Sequence, residues 1–197
     1  MGMDVYGLDP QVNTVDESLY SVYLTYKDMD FDEKWKELDK DKDLREKYWE
    51  QKHAFEDLNP GAYFRNNVWW WRPLWHYVCQ VCDDILTSED MDGCTDNSGY
   101  QIDTDKALRI GIRLHALVLD GSTQEWKEGY DKEVAELPKE PCFRCNGNNH
   151  GHAKKKDCKS CDKTGERENF QANYPFDVEN VKAFATFCVE SGGFEVC

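Results

Sequence analysis

The chain has 197 residues, enough for one domain with a small appendage and for a core that needs no covalent staples. Thirty-nine acidic against 24 basic residues give a formal charge of −15, which argues against coating nucleic acid through a general positive field and suits docking on a basic partner surface. No apolar run approaches the roughly 20 residues that cross a bilayer, so no membrane partner is expected.

The opening MGMDVYGLDP lacks the basic and apolar regions of a signal peptide, and Tyr6 stands where the myristoylation pattern needs Ser or Thr. A cytoplasmic protein is expected. Residues 1–26 show little pattern beyond Tyr20, Tyr23 and Tyr26 at three-residue spacing. Residues 27–58 read as a charged helical insertion. Phe31, Trp35 and Leu38, then Leu44, Tyr48 and Phe55, recur at helical spacing. The phase slips between Asp39 and Asp43, predicting two short helices or one bent one, ended by Asn59-Pro60-Gly61.

YFRNNVWWWRPLW follows. Tyr63 to Trp70 reads as extended, which would put Trp69 and Trp71 on one side and Trp70 on the other. Pro73 suits the first turn of a helix reaching about Thr87. On this reading Trp69 and Trp71 are core anchors. Trp70, with Arg65 and Arg72 beside it, is a candidate surface for stacking and anion recognition. SEDMDGCTDNSG reads as a loop.

Asp103 or Thr104 should cap the next helix, with Leu108, Ile112, His115 and Leu119 as one stripe. Ile110, Leu114, Leu117 and Val118 lie on its other faces and predict a central position. Ser122 and Glu125 have the spacing of a capping box, opening a helix striped by Trp126, Tyr130, Val134 and Leu137 and stopped by Pro138. Asp177 should cap a final helix carrying Val181, Phe184, Ala185 and Cys188, closed by Ser191-Gly192-Gly193. Strand signals are weak. The fold class expected is mainly α with minor β. Residues 1–138 and 169–197 would form a compact helical domain, and residues 139–168 a zinc hairpin inserted in it.

That hairpin is the clearest chemical signal. Nine cysteines include three C-x2-C pairs, and without a secretion signal these point to metal binding and free thiols rather than disulfides. In CFRCNGNNHGHAKKKDCKSCDKTG, Cys142 and Cys145 are separated by twelve residues from Cys158 and Cys161. Each two-residue gap lets both thiolates of a tight turn face one ion, and four sulfurs complete the tetrahedron of structural Zn2+. Gly147 and Gly165 let the chain turn beneath the metal. With four thiolates in place His150 and His152 are spare, and no position is left for a catalytic water. Arg144, Lys154, Lys155, Lys156, Lys159 and Lys163 make the module locally basic. Part of that charge balances the thiolates, and the rest could meet phosphate or an acidic protein face.

Elsewhere, His76, Cys79 and Cys82 follow at three-residue spacing, and a second metal or thiol site would need Cys94, Cys188 or Cys197 to join them. A cysteine nucleophile using Cys79 or Cys82 with His76 or His115 is the one enzymatic arrangement the spacing offers. No phosphate-binding, dinucleotide, nucleophile-elbow or zinc-protease motif occurs.

Taken together, MGMDVYG, YFRNNVWWWRPLW, the double C-x2-C and YPFDVENVKAFATFCVESGGFEVC resemble a family of small bacteriophage and prophage-type bacterial proteins. The likeness covers residues 1–7 and, discontinuously, 61–197, so residues 8–60 look like an insertion. A loop rich in Asp and Gly in that family corresponds to Thr95–Ile102 here, which has lost most of its acids. The resemblance implies a phage setting and no particular activity. The cysteine segment by itself resembles the zinc hairpins of the DnaJ chaperones and of anti-TRAP, which supports the metal, but no HPD tripeptide accompanies it. The function expected is a non-catalytic, zinc-binding accessory protein that binds and modulates a host macromolecule, in the first place a host protein, as an inhibitor or anti-defence factor. The alternatives are a nucleotide or single-stranded nucleic-acid binder using the tryptophans and the basic hairpin, and an enzyme of undefined chemistry.

Overall fold

Residues 2–13, 16–146 and 154–197 are described by the computed structural model. Strand β1 (Gly2–Gly7) organises the sheet, pairing antiparallel with β2 (Tyr63–Asn67) on one side and β6 (Phe194–Val196) on the other. β3 (Tyr100–Ile102) completes the order β2-β1-β6-β3. Alternation sets the two faces. Met3, Val5, Phe64, Ile102, Phe194 and Val196 point into the core. Asp4 sits opposite Arg65, and Gln101 donates to Glu195 across the outer face at 2.6 Å.

The expected class, mainly α with minor β, is what the chain adopts. The packed helices are α4 (Val68–Val81), α5 (Ser88–Gly93), α6 (Thr104–Leu119), α7 (Ser122–Glu136) and α8 (Val178–Glu190). α6 and α8 pack closely at Gly111, where a Cβ would lie 2.7 Å from the Ala185 carbonyl oxygen. Asp177 caps α8 through the Glu179 N–H, and Val181, Phe184, Ala185 and Cys188 are buried, as the periodicity predicts.

Several local expectations are corrected. Trp69 and Trp70 are helical, because the Asn67 side chain accepts their backbone N–H groups at 2.9 and 3.2 Å and starts α4 there. Pro73 therefore lies inside the helix, where it leaves the Trp69 carbonyl without its usual donor. Helical spacing stacks Trp71 on Trp75, with centroids 5.6 Å apart and planes 5° from parallel, and both are buried. Their indole N–H groups donate to the Cys94 and Met91 carbonyls at 2.8 and 2.9 Å. Those acceptors belong to the segment read as a loop, whose first half is α5, opened by a Thr87–Asp90 capping box, and whose remainder from Cys94 to Gly99 is turn as expected. Buried Asp90 also accepts from Tyr100 and Lys106, at 3.1 and 2.7 Å.

α6 is capped by Asp103 but turned about its axis from the expected stripe. Ala107, Ile110, Gly111 and Leu114 are buried, while Leu108, Ile112 and Leu119 are exposed. Close packing on α8 selects the small residues Ala107 and Gly111, which outweigh the apolar count. The Ser122–Glu125 capping box does not form. Gly121, at φ +88°, is the N-cap, and Asp120 accepts the Ser122 N–H.

The charged segment consists of α2 (Phe31–Leu38) and α3 (Lys42–Leu58), with Asp41 capping the second. The helical arm starts earlier than Lys27, with a 3-10 turn at Glu17–Tyr20 and α1 (Ser21–Tyr26). Tyr20 and Tyr23 pack on Phe55, with centroids at 5.7 and 5.1 Å, while Gln51 accepts the Val22 and Tyr23 N–H groups. Leu38, Tyr48 and Phe55 are buried, and Phe31 is exposed. The arm's ends meet: Asn13 donates to Asn59 and to the Leu58 carbonyl at 2.8 and 2.6 Å.

Two outcomes follow from this packing. Trp71→Ala should cost roughly 3–5 kcal/mol in urea unfolding, and Trp69→Ala and Trp70→Ala clearly less, because only Trp71 of the three is fully enclosed. Replacing residues 14–58 by a short Gly/Ser linker should leave a soluble chain with one cooperative transition. Removing only residues 27–58 should cause aggregation, since it strips Tyr20 and Tyr23 of the Phe55 ring they cover. Equal behaviour of the two deletions would refute this division.

Candidate metal centre

The module begins where Pro138 ends α7 and closes at Asn169, whose side chain donates to the Pro138 carbonyl at 3.2 Å. β4 (Glu140–Pro141) and β5 (Glu166–Arg167) pair antiparallel as its stem. The stem is laced by Lys139–Glu168 at 3.1 Å and Arg167–Glu140 at 2.9 Å. Above it the chain makes two similar turns. The Asn146 N–H returns to the Cys142 carbonyl at 2.6 Å, and the Lys163 N–H to the Cys158 carbonyl at 3.0 Å. Asn146, Asp162, Lys163 and Gly165 have φ between 46° and 83°, the left-handed bend that turns the chain beneath each thiol pair. Gly147, His150 and His152 lie outside the described residues.

Cys142, Cys145, Cys158 and Cys161 are all buried, with their Sγ atoms within 4.8 Å of one another. Cys142 lies 3.8 Å from Cys158, and Cys145 lies 3.8 Å from Cys161. A tetrahedron with metal–sulfur bonds of about 2.3 Å has edges of about 3.8 Å, so the cage can hold one metal ion. The Gly165 N–H donates to Cys161 Sγ at 3.3 Å. Backbone N–H groups of Cys145 and Arg144 pull the Cys142 thiol down to about 6, favouring the thiolate a metal requires. The four thiols form a buried cluster of their own, separate from the main core, and Phe143 beside them is exposed. With so little apolar packing, a metal held by the four thiols would serve as the core of this module.

Charge is divided unevenly. Residues 139–168 carry eight bases and five acids, a net +3, and the rest of the chain carries −18. Lys154 and Lys156 are exposed and Lys155 is half-buried, around a 3-10 turn at Lys155–Asp157 that leads into Cys158. The Arg167 guanidinium lies 5.2 Å from the Phe143 ring centre. Sequence reasoning missed Phe143, whose signal was an apolar residue between two ligands.

The other candidate residues do not form one surface. Arg65 projects from the outer face of β2, 3.7 Å from Asp4. Arg72 lies on α4, donates to the Tyr174 hydroxyl at 2.6 Å and sits over that ring. Trp69, expected as a core anchor, is instead exposed along one side and packs against Phe170 and Tyr174. Trp70, expected as the open ring, is half-buried outside these ring pairs, because both lie on the first turn of a helix and do not alternate along a strand. Arg72 borders a groove of about 590 Å3 with Tyr130, Val134, Leu137, Phe170 and Tyr174.

The thiols outside the hairpin are all shifted toward the protonated form, Cys197 to about 11 through its hydrogen bond to Glu195. Burial pushes Cys79 up to about 11, Cys82 up to about 12, and Cys94 and Cys188 well above the ordinary thiol range. His76 faces Gln80, and His115 faces Thr186. Among the described residues the four hairpin cysteines are the one cluster able to hold a metal, and no helix is long and apolar enough to cross a membrane. Comparison of the chain with protein-family models, curated proteins and solved structures gave no match.

The protein should bind one metal ion per chain by elemental analysis. Cys158→Ser should lose that ion and open residues 139–168 to hydrogen exchange, with protection in α6 and α8 retained. Loss of protection throughout would show that the module and the helical domain fold as one unit.

Proposed function

We propose that the protein is a non-catalytic, phage-type accessory protein whose zinc-stabilised hairpin docks on an acidic face of a host protein and modulates it. The observation that carries this reading is the cage of four buried thiols on a module that also exposes Phe143, beside the Arg167 guanidinium, and Lys154 and Lys156 on the turn that leads into Cys158. Tetrahedral sulfur ligation suits zinc or an iron–sulfur centre. Zinc is our choice because it fills closed four-thiolate sites that hold a shape without redox chemistry. Four thiolates and one zinc ion carry about −2, which leaves the hairpin near +1 on a chain that is otherwise strongly acidic. An exposed aromatic ring and exposed cations on one small module are the elements of a docking surface. The host setting rests on the sequence resemblance to phage proteins.

Elemental analysis should find zinc and not iron in colourless protein. Tagged protein in a bacterial host lysate should capture one dominant protein. Phe143→Ala and the double change Lys154→Glu, Lys156→Glu should each abolish the capture while leaving the metal content unchanged. Capture that survives both variants, or recovery of nucleic acid in place of a protein, overturns this reading.

A further inference from the structure

A second groove, of about 480 Å3, lies between the helical arm and the outer face of the sheet, away from the hairpin's thiols. Its charge runs against that of the chain. Residues 16–58 hold fourteen acids and eight bases, yet three of those bases, Lys27, Lys34 and Lys52, line the groove with a single arm carboxylate, Glu56. Arg65 adds a fourth cation from β2.

Three of these cations have acidic neighbours. Lys52 is paired with Glu56 inside the groove. Lys27 reaches Asp28 at 3.1 Å, and Arg65 reaches Asp4 at 3.7 Å. The last two pairs are open to water, with Asp28 83% and Arg65 71% exposed, so they hold their cations weakly. Lys34 has no carboxylate within 4 Å among the described residues. Its ammonium lies 6.0 Å from the ring centres of Trp35 and Tyr48.

Aromatic rings form the rest of the wall. Trp49 is 39% exposed and is backed by Trp35, with centroids 5.6 Å apart in a stacked arrangement. Tyr6 is 47% exposed and is backed by Tyr63 at 5.2 Å. Two supported rings with open surface, next to several cations, form the combination that binds a base and its phosphate together. The Tyr23 phenol, pushed up to about 12 chiefly by burial, stays protonated and keeps a hydrogen to donate. The volume falls within the range of pockets for small ligands.

We propose that this groove binds a nucleotide, with its base on Trp49 or Tyr6 and its phosphate on Lys34, assisted by Lys27 and Arg65. The ligand is either a free nucleotide or one residue of a single strand, since both present the same chemistry. The site is independent of the hairpin and of the host protein proposed for it.

Tryptophan fluorescence titration of the full-length protein with AMP, ATP and the ten-residue strands dA10 and dT10 tests this. At least one of these ligands should quench the fluorescence. Trp49→Ala should weaken binding about tenfold or more. Lys34→Ala should weaken it and, if a strand is the ligand, lower the salt slope by about 0.7. Arg65→Ala serves in place of Trp49→Ala should the latter not fold, as judged by circular dichroism and metal content. Equal affinity for AMP and the strands assigns a free nucleotide, and a strand preference of about tenfold or more assigns single-stranded nucleic acid. Absence of binding at millimolar ligand, or binding that survives both groove variants, overturns the proposal. Lys154→Glu with Lys156→Glu should leave it unchanged, and loss of binding there would move the site to the hairpin.

Discussion

Strand β1 sits between β2 and β6, and the rest of the molecule is arranged around that pairing. Its alternation commits Met3 and Val5 to one face, and the antiparallel register carries the same choice to Phe64, Val196 and Phe194. A slip of one residue would turn every inward side chain to solvent. Closure is tight as well: a Cβ on Gly61 would lie 2.3 Å from the Glu190 carbonyl oxygen, so only glycine lets the chain enter β2 beside the end of α8. With the sheet in place, α4 follows β2 directly and delivers Trp71 and Trp75 to the core, where α5 and its C-cap Cys94 supply acceptors for their indole nitrogens.

Two excursions leave this core, and each returns close to where it left. The arm departs after β1 and is tied at its neck by Asn13 to Leu58 and Asn59. The hairpin departs after α7 and is tied by Asn169 to Pro138. Loops closed at the neck add little strain to the domain that carries them, so each excursion can have its own source of stability. The arm uses aromatic packing of Tyr20, Tyr23, Tyr48 and Phe55. The hairpin has four sulfurs instead. A metal held there would tie the hairpin's stability to thiolate formation, whereas the arm's depends on buried area.

The same division sorts charge. A net charge of −15 repels nucleic acid in general. Half of the 24 bases lie in two places, eight in the hairpin segment 139–168 and four in the groove under the arm, where Tyr6 and Trp49 are exposed beside them. Local fields of this kind outweigh net charge within about a Debye length, close to 8 Å in physiological salt. A protein of −15 can therefore still present an attractive surface to an anion at either place.

The sequence by itself determined what depends on local chemistry. The spacing of Cys142, Cys145, Cys158 and Cys161 identified the cluster, because two tight turns suffice to aim each thiol pair. Asp103, Asp177 and the break before Lys42 were legible because a cap acts within three residues. Tertiary structure decided the rest. MGMDVYG and FEVC carry too few residues to declare a strand alone, and they become strands only by pairing with each other and with Tyr63–Asn67. The triple tryptophan looked extended by propensity, and one Asn67 cap together with the partners waiting on α5 made it helical. The stripe of α6 was misread because close contact with α8 rewards Gly111 for being small, which apolar periodicity cannot register. The groove under the arm joins Lys34 and Trp49 to Tyr6 and Arg65, residues far apart in the chain, and only the folded sheet brings them together.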